Sequence, residues 1–132
     1  MLHLEFNSDS ENEGIARIVT SAYIMRFDPD MEEMEDVKTA VSEAVTNCIV
    51  HAYFDENGKI EMDISDKEQI VKIEITDHGI GIPDVKKAME PMYTTKPEEE
   101  RTGMGFSFME AFMDEVHVES TPGHGTTVSM RK

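Results

Sequence analysis

The chain has 132 residues, 28 carboxylates and 12 lysines and arginines, for a formal net charge of −16. That balance excludes a binder of the nucleic-acid backbone, whose affinity comes from clustered cations, and favours a basic protein partner. The length suits one domain, residues 1–132, with a single core; one cysteine leaves no disulfide frame or structural zinc site, and no apolar run approaches a membrane span or a leader. A cytoplasmic protein is the expectation.

In chain order, "LHLEF" alternates as a short strand, and "NEGIARIVTSAYIMRF" then places Ile15, Ile18, Val19, Ala22 and Met25 at helical spacing. This arrangement predicts Ile15, Ile18, Val19 and Ala22 facing the core, with Arg17, Ser21 and Ile24 outward. Asp28-Pro29-Asp30 breaks the chain, and the acidic "MEEMED" suits the positive end of a second helix running to about Tyr53. Along it Met34, Val37, Val41, Ala44, Val45 and Cys48 form an apolar face. Cys48 therefore reads as a small buried hydrophobe. "FDENGK" is a turn. Ile60, Met62 and Ile64, then Val71, Ile73 and Ile75, alternate with polar residues as an antiparallel pair covered on one face. A short helix near "PDVKKAME", the polar loop "PMYTTKPEEERTGMG", a helix in "FSFMEAFMDE" and the strand pair "VHVES" and "TTVSM" joined by "TPGHG" complete the chain. The expected class is α+β, a two-layer sandwich with helices on one side of a mixed, mostly antiparallel sheet.

Three polar features stand out against this pattern. Glu43, Asn47 and His51 recur one turn apart beside the apolar face of the second helix. Taken alone they fit a solvated face with a hydrogen-bonded histidine as well as a site. After the strand ending at Thr76 comes Asp77-x-Gly79-x-Gly81, which is either a plain turn or a carboxylate placed to accept a hydrogen bond from an exocyclic amine, with glycines that permit close backbone approach. The long loop from Pro91 carries Lys96 and Arg101 and ends in Gly103 and Gly105 just before a helix. Such a junction is either a flexible connection or a phosphate cradle beneath a lid.

In combination, the order Glu43-x-x-x-Asn47-x-x-x-His51, Asp77-x-Gly79-x-Gly81, Arg101-Thr-Gly103-Met-Gly105 and Gly125-Thr126-Thr127 resembles the GHKL superfamily of ATP-binding domains. That superfamily includes histidine kinases, gyrase-type ATPases and anti-sigma-factor serine kinases. "VSEAVTN", "TTKPE" and "GMGF" are most similar to the sporulation anti-sigma-factor kinases, and the similarity spans essentially the whole chain. The resemblance implies a Bergerat fold that binds ATP with Mg2+. It makes Asn47 a magnesium ligand, Glu43 the general base and Arg101 a charge stabiliser at the γ-phosphate. It places Asp77, Gly79 and Gly81 at the adenine with Thr126 or Thr127 nearby, and Thr95, Lys96, Gly103, Met104 and Gly105 at the phosphates. His51 receives no definite role. Ala52 stands where relatives often carry Gly, Cys48 replaces a more usual Ala, and the chain ends without the longer tail of some relatives.

The function so implied is a protein serine kinase that phosphorylates a small anti-anti-sigma protein and, with ATP bound, holds a sigma factor inactive, as a homodimer. Two rivals are a histidine-kinase catalytic domain and a non-catalytic nucleotide-gated binding module. Arg17, a cation on an acidic chain, is the candidate contact for the protein partners.

Overall fold

The computed structural model describes residues 1–53, 57–82 and 105–132. Five strands form one sheet: β1 (Leu2–Asn7), β2 (Lys59–Lys67), β3 (Ile70–Asp77), β4 (Glu115–Thr121) and β5 (Gly125–Arg131), in spatial order β1-β2-β3-β5-β4. Each of its four pairings is antiparallel. Alternation along the strands sends Ile60, Met62 and Ile64 of β2, Ile73 and Ile75 of β3 and Met130 of β5 into one face, each at most 1% exposed. Full burial of each such side chain contributes about 1.5–3 kcal/mol. Three helices, α1 (Glu11–Ile24), α2 (Met31–Asn47) and α3 (Gly105–Phe112), share the core with this face. The opposite face carries polar residues.

Helix α2 starts where the sequence marks it. Asp30 caps it by accepting from the Glu33 N–H at 2.7 Å, and Glu33 returns the bond to the Asp30 N–H at 3.2 Å. Val37, Ala40, Val41, Ala44 and Val45 are buried as the 3-4 spacing requires, and a π-turn, Cys48–Ala52, continues the helix. Such turns mark positions where a helix is widened at a site.

Helix α1 is turned the other way from its predicted orientation. Ile15, Ile18 and Met25 are 53%, 67% and 63% exposed, and Ala22 is exposed too, whereas Ala16, Thr20, Tyr23 and Ile24 are buried. Only Val19 of the predicted inward set packs on the core, and Ile24 of the predicted outward set is inside. Small Ala16 and Thr20 let the helix approach closely, and the polar groups this buries are satisfied. Thr20 Oγ1 donates to the Ala16 carbonyl at 2.9 Å, and the Tyr23 hydroxyl donates to Asp66 at 2.5 Å. Arg17 is exposed as expected, 3.7 Å from Glu13.

The β2–β3 hairpin closes through Glu68 and Gln69, whose φ angles are +53° and +67°. A two-residue turn with both φ positive is normally made by Asn-Gly. The pair Glu68→Asn and Gln69→Gly is therefore expected to raise stability by about 1 kcal/mol, read as a higher urea midpoint at unchanged slope; an unchanged or lower midpoint would refute the strain.

Candidate nucleotide site

The polar stripe and the Asp-x-Gly-x-Gly turn meet at the end of α2. Glu43, Asn47 and His51 are half-buried, and the residues that follow Asn47 and His51 make contact with the turn. Cys48, 3% exposed, hydrogen-bonds through its thiol to the Asp77 carboxylate. Ala52 offers its carbonyl to the Ile80 N–H at 3.1 Å. Tyr53 completes the junction, its hydroxyl accepting from the His78 N–H at 2.6 Å and donating to the Lys59 carbonyl at 2.6 Å.

Asp77 is the last residue of β3 and 4% exposed. It lies opposite Thr126 of β5 in the register, and its Oδ1 accepts the Gly79 N–H at 3.0 Å. Burial raises the carboxyl pKa above its ordinary value, against the lowering effect of the Gly79 N–H, the Cys48 thiol and the Thr126 N–H. The same burial, reinforced by the Asp77 carboxylate, pushes the Cys48 thiol well up. Cys48 is thus a neutral thiol beside Asp77, and the sequence reading of a buried small residue is correct for its packing.

The glycines work against the protein's own backbone. A Cβ on Gly79 would stand 2.3 Å from the Ala52 carbonyl oxygen, and one on Gly81, at φ +78°, 2.4 Å from that of Thr121. Both positions need glycine so that the turn can lie flat between α2 and the β4–β5 hairpin. Ser120 ties that hairpin in: its Oγ accepts from the Ile82 N–H at 2.7 Å and lies 2.8 Å from Thr126 Oγ1. Thr126 is 7% exposed. The structure therefore brings Asp77, Gly79, Gly81 and Thr126 together, with Asn47 and His51 each next in sequence to a residue that meets this turn and Glu43 one helical turn earlier on α2. Gly105 opens α3, which packs against α2. Thr95, Lys96, Arg101, Gly103 and Met104, the helix near "PDVKKAME" and most of the polar loop fall outside the described residues.

Tyr53, Ser120 and the Cys48 contact escape a reading of sequence motifs. Tyr53 has a local signal, since it directly follows the stripe. Ser120 has none, because it reaches the site only through strand pairing.

The donor set fits an adenine nucleotide. A buried carboxylate that accepts from N–H and thiol donors can take one more hydrogen bond from a neutral amine without a charged partner. On the helix beside it, Asn47 offers an amide oxygen of the hard type that magnesium takes.

Comparison with known proteins agrees. Residues 6–132 match the family model described as the histidine kinase-like ATPase domain. The chain is 54% identical over its whole length to the anti-sigma F factor of Caldanaerobacter subterraneus subsp. tengcongensis, of which it covers 92%. It is 48% identical over 99% of its length to the anti-sigma F factor of Geobacillus kaustophilus, covering 90% of that protein. Among solved structures, the catalytic domain of the histidine kinase ThkA superposes with a TM-score of 0.60 over 99% of this chain and 95% of the other, at 20% identity, a likeness of fold. The GHKL resemblance read from the motifs holds across the chain: it belongs to the histidine kinase-like ATPase domain family and, within it, to the anti-sigma F factors.

Proposed function

We propose that this chain is a single-domain, cytoplasmic, Mg-ATP-dependent protein serine kinase and anti-sigma factor. With ATP bound it holds a sporulation sigma factor inactive, and it phosphorylates a serine of a small anti-anti-sigma protein. The observation that carries this reading is the buried Asp77 carboxylate, 4% exposed, lodged beside the helix that presents Glu43 and Asn47. Relatives named anti-sigma F factor, matching over the full chain, support the regulatory half.

Mg-ATP, when bound, supplies the phosphoryl group. Asp77 accepts from the adenine amino group with Thr126 beside it, and Gly79 and Gly81 hold the turn that shapes this pocket. Asn47 is the magnesium ligand. Glu43 takes the proton from the serine hydroxyl, a general-base role. Thr95, Lys96, Gly103, Met104 and Gly105 hold the phosphates, and Arg101 stabilises charge during transfer.

Helix α1 is the proposed protein-contact surface. Its exposed Ile15, Ile18 and Met25 form an apolar stripe beside exposed Arg17. A stripe of this kind supports a homodimer, with the sigma factor and the anti-anti-sigma protein competing for overlapping surface at Arg17. Among the described residues no helix is long and apolar enough to cross a membrane.

Incubation with radiolabelled Mg-ATP and a serine-bearing anti-anti-sigma protein tests the kinase reading, with transfer to serine expected and absence of transfer refuting it. Arg17→Glu is expected to weaken capture of both partners by about tenfold or more, the range of an interface anchor, at unchanged ATP affinity. Undiminished capture of both would remove this face from the proposal.

A further inference from the structure

The open face of the sheet holds a second cluster of chemistry-bearing side chains, where β1 meets β2. His3 and Glu5 are two residues apart on β1 and so point to the same face. In the register Glu5 lies directly opposite Glu61, and His3 opposite Asp63. One ligand atom from each of His3, Glu5 and Glu61 lies within 4.8 Å of the others. Two carboxylates directly opposite on neighbouring strands repel. Lys59, with Nζ 4.0 Å from Glu5, offsets part of that repulsion.

The surrounding groups orient the cluster. His3 Nδ1 is 2.6 Å from Asp63 Oδ1, and because a carboxylate accepts, Nδ1 is the donor in that hydrogen bond. The other ring nitrogen, Nε2, faces Glu5 Oε1 at 3.0 Å. Glu61 is held from its far side by His78 Nε2 at 2.8 Å from Oε2. An imidazole with a carboxylate behind one nitrogen and carboxylate oxygens within reach of the other is close to the arrangement that fixes metal-ligating histidines, and hydrogen-bonded carboxylate ligands accompany it.

We propose that His3, Glu5 and Glu61 form a surface site for a divalent transition-metal ion of the zinc type, sharing no ligand with the nucleotide site, with Asp63 and His78 as positioning residues. The ion takes the Nε2 lone pair of His3 and one oxygen from each carboxylate, and any proton on Nε2 is released to solvent. A mixed nitrogen and oxygen set suits zinc, cobalt or nickel, whereas magnesium and calcium prefer oxygen alone. Bound there, the ion joins the edge strand β1 to β2 and removes the repulsion between Glu5 and Glu61.

Cobalt is the probe, titrated into the full nucleotide-free chain, followed by its visible absorption and displaced by zinc. Saturable binding that survives excess magnesium is expected. His3→Ala and Glu61→Gln are expected to weaken it by about tenfold or more, and Asp63→Asn by about 10–100-fold, as for partners behind a metal ligand. Asn47→Ala is expected to leave the signal in place, and His3→Ala to leave Mg-ATP kinase activity unchanged. No saturable cobalt binding, binding indifferent to His3→Ala, or binding lost in Asn47→Ala would overturn the site. These side chains lie on the sheet face away from the core, so the variants are expected to fold, and Glu5→Gln gives an independent test of the same cluster.

Discussion

Glu43→Ala is expected to lower phosphoryl transfer by about 10²–10⁴-fold, the usual contribution of a general base, while ATP affinity stays within about twofold of the parent protein. In the proposed role Glu43 would act on the incoming hydroxyl and not on the nucleotide, so only the chemical step should suffer. Glu43 is half-buried on α2, one turn before Asn47, and the two differ in what they are expected to touch. Asn47→Ala should therefore weaken both binding and transfer if, as proposed, its amide oxygen holds the metal that accompanies the phosphates. Radiolabel transfer measured beside nucleotide titration separates these cases. Equal transfer by Glu43→Ala and the parent protein would return the stripe to a solvated helix face.

Asp77→Asn is expected to lower ATP affinity by about 10–100-fold and to shrink the preference for ATP over GTP. The amide can present a donor where adenine also presents one, and a buried donor without a partner costs about 1–3 kcal/mol. The effect on the folded state should run the other way. Burial raises the Asp77 pKa, so its contribution to stability is present below the unfolded value near 3.8 and is lost as pH rises through the folded value. Wherever the carboxylate is ionised, its burial carries a cost that asparagine does not bear. The nucleotide-free Asp77→Asn protein is thus expected to melt no lower than the parent, which excludes misfolding as the cause of lost selectivity. Unchanged discrimination between ATP and GTP in titrations would leave Asp77 as a turn residue only.

Most element types, their order and the inward faces of α2 and the strands were legible in the sequence, because each rests on local periodicity. Val37, Val41, Ala44 and Val45 repeat every three or four residues, Ile60, Met62 and Ile64 every second one, and burial follows both patterns. The family was legible as well, since its motifs are short and lie in a fixed order. The segment between β3 and α3 is different: Thr95, Lys96, Arg101, Gly103 and Met104 lie outside the described residues and are assigned by resemblance.

What the tertiary structure decided concerns the sides of elements that local pattern leaves ambiguous, and contacts between distant segments. Helix α1 has two apolar stripes, Ile15, Ile18, Ala22 and Met25 on one and Ala16, Val19, Tyr23 and Ile24 on the other. Periodicity alone cannot choose between them. The choice falls to the stripe with small residues and satisfiable polar groups, where Thr20 bonds the Ala16 carbonyl at 2.9 Å and Tyr23 reaches Asp66, so α1 can lie close to the layer beneath it without an unpaired buried donor. In the same way, the burial of Asp77, its contact with Cys48 and the placing of Glu5 opposite Glu61 arise from strand register and helix docking. Those bring residues tens of positions apart into contact, through hydrogen bonds and packing that no local window contains.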